Sequence, residues 1–124
     1  MSKLIPLFVY GTLRAGHQNS ARFGLDGTAE VYKNQRLPGF NLFELGWFPG
    51  IKPGDGTVVG DIFFVKPEQF EALDAYEGTP HLYHRATVDL DGLPGVQVYI
   101  YNGNPPGTSI IKSGDWFNKE QRVG

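Results

Sequence analysis

The sequence predicts a single α+β domain: many short β-strands around a shared core, with one helix of any strength. Three observations carry this. First, 17 glycines and 9 prolines in 124 residues punctuate the chain too densely for a helical bundle and favour short strands and turns. Second, 40% of the residues are hydrophobic and 14% aromatic, and a chain of this length buries about two-thirds of its unfolded surface, so a packed core forms without a staple. Third, only residues 67–77 combine helical apolar spacing with a proline at the start and a glycine just past the end. No repeat, linker or low-complexity stretch divides the chain, so residues 1–124 are read as one domain.

Taken in order, residues 4–10 form a near-continuous apolar run, too short for an isolated helix and rich in aliphatic and aromatic side chains, hence a buried strand. It breaks into Gly11-Thr12-Leu13-Arg14, where glycine frees the backbone and successive N–H groups can converge on an oxygen; an ordinary strand end with a glycine turn is the competing reading. A polar loop containing His17 leads to residues 21–25, at most a short helix capped by Asn19 or Ser20. Strands are expected at 29–33 and 37–43, followed by a kinked aromatic segment, Trp47-Phe48-Pro49-Gly50-Ile51. Pro53-Gly54-Asp55-Gly56 reads as a hairpin tip, and 57–65 as the second strongly apolar strand, with Asp61 set into it.

The helix follows. Pro67 suits its first turn, Glu68 and Glu71 suit the positive end of its dipole, and Gly78 suits the residue beyond its end. Glu77 lies four residues after Leu73 and seven after Phe70, on the face that turns to the core. Burial and the negative helix end both disfavour a charged carboxylate there, so its pKa is pushed up, as an acid/base working near neutral pH requires. A frayed helix end reaching solvent is the alternative.

Residues 82–90 alternate, with Tyr83, Arg85, Thr87 and Asp89 on one side and His84, Ala86, Val88 and Leu90 on the other. Arg85 either faces a site or makes a surface ion pair, for instance with Asp89. Asp91-Gly92 with Leu93-Pro94-Gly95 marks a hairpin turn into a strand over 95–101, where Tyr99 and Tyr101 share a face. The tail carries Trp116, expected to dock on the core.

Composition also excludes function classes. A net charge of −2 and a pI near 5.8 give no electrostatic footprint for nucleic acid or an anionic membrane. Without cysteine there is no disulfide framework, thiol nucleophile or Cys-based metal site. His81 and His84 are the only closely spaced metal-ligand types among the three histidines, and they need not face the same way, so no metal is expected. No nucleophile-elbow serine or dinucleotide fingerprint is present. The apolar start lacks a cleavage site and no segment reaches membrane-spanning length, so a cytoplasmic protein is expected.

Tyr10-Gly11-Thr12-Leu13-Arg14 behind an N-terminal strand resembles the signature of the γ-glutamylcyclotransferase-like (AIG2-like) family. Leu73-Asp74-Ala75-Tyr76-Glu77-Gly78, followed by Tyr83-His84-Arg85, resembles the family segment bearing its catalytic glutamate. The resemblance covers nearly the whole chain and implies a mixed β-barrel of about six strands with short flanking helices. It implies a cofactor-free conversion of a γ-glutamyl amino acid or γ-glutamylamine to 5-oxoproline and free amine, with Glu77 as general acid/base. Gly11, Thr12 and Leu13 would hold substrate oxygens, Tyr10 would shape the wall, and Arg14 and Arg85 are further substrate-binding candidates. The expected partner is a small γ-glutamyl molecule, not nucleic acid or membrane, and the expected state a monomer or weak homo-oligomer. A non-catalytic ligand-binding or protein-interaction module of the same fold is the alternative, favoured by a pocket closed by Trp47, Phe48 or the Trp116 tail, and amide hydrolysis by Glu77 acting on water is a third possibility.

Overall fold

A computed structural model describes residues 4–11, 13–14 and 31–118. Strand β1 (Ile5–Val9) runs through the middle of a five-stranded sheet, antiparallel to β3 (Pro49–Val65) and parallel to β5 (Leu93–Tyr101). With β2 (Val31–Glu44) and β4 (Tyr83–Leu90) on the outside, the order is β2-β3-β1-β5-β4, and the sheet curls into a half-barrel. The central position explains the unbroken apolar run. Phe8 and Tyr10 enter the cluster that fills the concave side, while Leu7 and Val9 enter a second cluster with Phe70 and Leu73 of helix α1 (Gln69–Tyr76), so both faces of β1 are buried.

The described residues carry five strands, in keeping with the expected barrel of about six. The separate strands predicted at 29–33 and 37–43 join in β2; residues 29–30 lie outside the described residues, as do 15–28 with His17 and the proposed short helix. The turn-like chemistry between them is absorbed by a register shift after Tyr32, where Asn34 takes a φ of 56°. The predicted tip at Pro53-Gly54-Asp55-Gly56 also proves to be strand interior. Pro53 pairs with Phe40 and Thr57 with Pro38, so these residues bulge opposite Gly39, and the Asn41 side chain fills the space a Cβ at Gly54 or Gly56 would need. The true tip is at residues 45–48, closed by the Leu45 N–H donating to the Phe48 carbonyl at 3.0 Å.

Helix α1 packs Phe70 and Leu73 against the convex face of the sheet. It ends in a Schellman arrangement: the Thr79 N–H donates to Asp74 O at 3.0 Å and the Gly78 N–H to Ala75 O at 3.2 Å, with Gly78 at a φ of 69°. Glu77 is therefore the last residue before the chain reverses. Strands β4 and β5 meet in a two-residue turn, Asp91-Gly92, both at positive φ. The C-terminal segment is stitched to the open end by Ile111 N–H to Leu42 O (2.8 Å) and Val59 N–H to Gly114 O (2.7 Å), and Trp116 docks in the concave cluster.

Candidate functional site

Where the end of β1, the 45–48 turn, the end of α1 and the starts of β3 and β4 converge, they enclose a cavity of about 260 Å³. Its walls are mostly apolar: Val9, Leu13, Phe48, Pro49, Leu82 and the rings of Tyr10, Tyr76, Tyr83 and Tyr99. Gly11 stands close to Pro49, where an added Cβ would lie 3.0 Å from the proline ring, so a larger residue here requires that ring to give way. The turn beyond it is closed by the Arg14 N–H donating to Gly11 O at 3.0 Å.

Glu77 is the one charged side chain among the described lining residues. The helix terminus delivers it half-buried to the wall, where it makes no hydrogen bond or ion pair with another described residue. Burial raises its pKa from 4.5 to about 7, so near neutral pH the carboxyl can both give and take a proton.

The tyrosines around it play a different part. Tyr10 donates to the Tyr99 carbonyl at 2.7 Å, Tyr83 to the Pro49 carbonyl at 2.5 Å, and Tyr99 to Asp74 Oδ1 at 2.6 Å. Burial comes first in holding all three phenols above their ordinary pKa, followed by Tyr83 and Glu77 at Tyr10, by Glu77 at Tyr83 and by Asp74 at Tyr99. Neutral and with their protons engaged by protein acceptors, they fasten the walls: Tyr83 ties the 45–48 turn to β4, and Tyr99 ties α1 to β5.

Of the residues expected at the site, Tyr10, Gly11, Leu13 and Glu77 share this cavity, and Thr12 lies outside the described residues. Arg14 and Arg85 are placed elsewhere. Arg14 is 7% exposed and bound by Asp61 (Nε to Oδ2, 3.3 Å), Asp115 (3.0 Å) and Asn34 (2.9 Å), with Phe117 beneath it. A buried guanidinium beside two carboxylates has its charge matched within the fold, which also accounts for Asp61. Arg85 pairs with Asp74 of the helix at 3.4 Å, not with Asp89, and lies over the Phe70 ring at 4.0 Å.

Sequence reasoning missed Pro49, Tyr76 and Leu82 as wall residues; of Trp47, Phe48 and Trp116, the side chains it considered for closing the pocket, only Phe48 lines the cavity. Phe48 and Pro49 sat in a visible aromatic kink, but its facing depended on the turn being at 45–48. No cluster of His, Cys, Asp and Glu that could hold a metal occurs among the described residues, and none of their helices is long and apolar enough to cross a membrane.

Comparison with known proteins places the chain by family and fold. The family described as gamma-glutamyl cyclotransferase, AIG2-like, matches residues 7–118. The Escherichia coli gamma-glutamylcyclotransferase family protein YtfP is 29% identical over 115 residues, covering 93% of this chain and 98% of that protein. The zebrafish gamma-glutamylaminecyclotransferase A is 31% identical over 127 residues, covering 93% of this chain and 75% of its own. The solution structure of E. coli ytfP superposes with a TM-score of 0.74 at 27% identity, over 94% of this chain and 99% of that one.

Proposed function

The chain belongs to the gamma-glutamyl cyclotransferase, AIG2-like, family, and from that premise we propose that it converts a γ-glutamyl amide to 5-oxoproline and a free amine, with Glu77 as the acid/base. The observation that carries this reading is Glu77 itself: a half-buried carboxyl, unpaired among the described residues, with a pKa near 7 in an otherwise apolar cavity. A fold gains nothing in stability from such a group, whereas a proton shuttle needs one.

Glu77 takes a proton from the substrate α-ammonium, and the freed amine attacks the γ-carbonyl carbon. As the new C–N bond closes the five-membered ring, negative charge gathers on the carbonyl oxygen, to be met by backbone N–H groups of Gly11 and Leu13, both of which line the cavity. Glu77 then passes its proton to the departing nitrogen and the old C–N bond breaks. The second proton lost by the ring nitrogen leaves with the amine, so atoms and charge balance. No cofactor enters. Tyr10 holds the wall, while Arg14 and Arg85 support the turn and the helix without touching substrate.

The test is to incubate wild type and Glu77→Gln with γ-glutamyl amino acids and γ-glutamylamines and to detect 5-oxoproline by mass spectrometry. Release by wild type and its loss in the variant is the expected result. Free glutamate as the product indicates hydrolysis instead, and turnover surviving in Glu77→Gln moves the shuttle to another residue.

A further inference from the structure

The mouth of the cavity has a composition that the ring-closure chemistry does not require. Among the described residues seven large apolar side chains are exposed, and three of them, Phe48, Tyr76 and Leu82, border this one opening at 39–41% exposure. They come from the β2–β3 turn, the end of α1 and the turn before β4, so the patch is assembled from three separate elements. Its members are also held. Phe48 lies edge-on to Tyr83 at 6.5 Å between ring centres, Pro49 accepts the Tyr83 hydroxyl, and Leu82 donates its N–H to Gly78 O and accepts from Asn102 N–H. A fixed apolar rim left in water around a cavity marks a surface that a ligand covers.

The position of the rim says which part of the ligand that is. In the reaction proposed above the amide carbonyl sits beside Glu77, Gly11 and Leu13, so the group on the amide nitrogen is left to the exposed side of the cavity, where Phe48, Tyr76 and Leu82 stand. On that reading of the reaction, we propose that the preferred leaving amine carries an uncharged apolar tail, best an aromatic one, that packs on Phe48, Tyr76 and Leu82. Rings of this kind gain from edge or offset contacts with Phe48 and Tyr76. A tail bearing a carboxylate would meet apolar walls and the Glu77 carboxyl, and a tail bearing an ammonium would leave its water for the same apolar rim.

Three matched substrates test this: γ-glutamylphenethylamide, γ-glutamylethylamide, which lacks the ring, and γ-glutamylphenylalanine, which adds a carboxylate. The expected result is a kcat/KM at least tenfold higher for the first than for either other. Phe48→Ala and, independently, Leu82→Ser are expected to narrow the phenethyl-to-ethyl ratio. Calorimetric binding to Glu77→Gln reads the same order without turnover. If no 5-oxoproline forms but the binding order holds, the reaction is wrong and the rim assignment stands. If 5-oxoproline forms yet γ-glutamylphenylalanine or the ethylamide is as good a substrate, or both rim variants leave the ratio unchanged, the assignment is overturned and the reaction stands. Absence of binding by all three overturns it as well.

Discussion

A buried arginine just past β1 and a half-buried glutamate at the end of α1 are treated by the fold in opposite ways. Arg14 is fixed by Asp61 from β3, Asn34 from β2 and Asp115 from the C-terminal segment, so three distant parts of the chain meet on one guanidinium. Glu77, at the end of α1, faces the cavity with no such partner among the described residues. The first arrangement matches a charge and thereby locks tertiary structure; the second leaves a charge unmatched and thereby tunes a pKa. Burial alone separates neither from an ordinary core residue. The partners do.

Removing each group should therefore damage a different property. The largest effect is expected for Glu77→Gln on turnover: loss of the shuttle should lower kcat/KM by about 10²–10⁴-fold while the circular dichroism spectrum is unchanged. A fold-change below ten would place the proton transfer elsewhere. Arg14→Met should instead strike stability, because it leaves the buried Asp61, and the partly exposed Asp115, without their cation. Breaking such a buried pair costs about 3–5 kcal/mol, read as a lowered urea midpoint with little change in m. If stability holds and only substrate affinity falls, Arg14 has a role at the substrate that its contacts here do not suggest.

The comparison sharpens with pH. Glu77 has its proton affinity raised by the fold, so the folded state binds more protons than the unfolded one between pH 4.5 and about 7. Stability from this group is unaffected below pH 4.5, declines as pH rises through that window and levels off above it. Glu77→Gln should accordingly be more stable than wild type at pH 8, by about 1–3 kcal/mol after allowance for partial exposure, and equal to it at pH 4. Activity runs the other way: the base must be ionised, so kcat/KM should rise with pH and flatten above about 7. A residue that gains stability when removed and loses activity at the same time is the signature of a site over a scaffold.

How much of this could be read from the chain follows from which signals are local. The buried strand β1, the helix with Gly78 beyond its end and the inward position of Glu77 all rest on periodicity and capping within a dozen residues, and each is present in the structure. The half-barrel was legible only through family resemblance, since closure is a property of strand order. The tip misplaced at Gly54 and Gly56 shows why local turn chemistry misleads: those glycines make room for Asn41, a neighbour across the sheet. Arg14 likewise looked like a substrate ligand because its partners, at positions 34, 61 and 115, are remote in sequence. Of the rim, Phe48 was legible as a residue that could close a pocket, whereas Tyr76 and Leu82 were not, as each is an unremarkable apolar residue until three elements meet.

The smallest effect should come from Arg85, the second arginine, which tests whether pairing or burial governs the contrast. It too meets a carboxylate, Asp74, but both side chains are about 30% exposed, at 30% and 29%, and the contact is 3.4 Å. Water screens such a pair, so its charge contributes roughly 0.2–1 kcal/mol. The contact with the Phe70 ring adds a similar amount. Arg85→Met keeps the stem over the ring and removes the charge, and should lower the urea-derived stability by no more than about 2 kcal/mol. Asp74 then loses one partner but keeps the Tyr99 hydroxyl at 2.6 Å, which continues to hold the end of α1 and so Glu77 in place. A loss in Arg85→Met as large as that in Arg14→Met would mean that the number of carboxylates near an arginine, and not their removal from water, decides its worth to this fold.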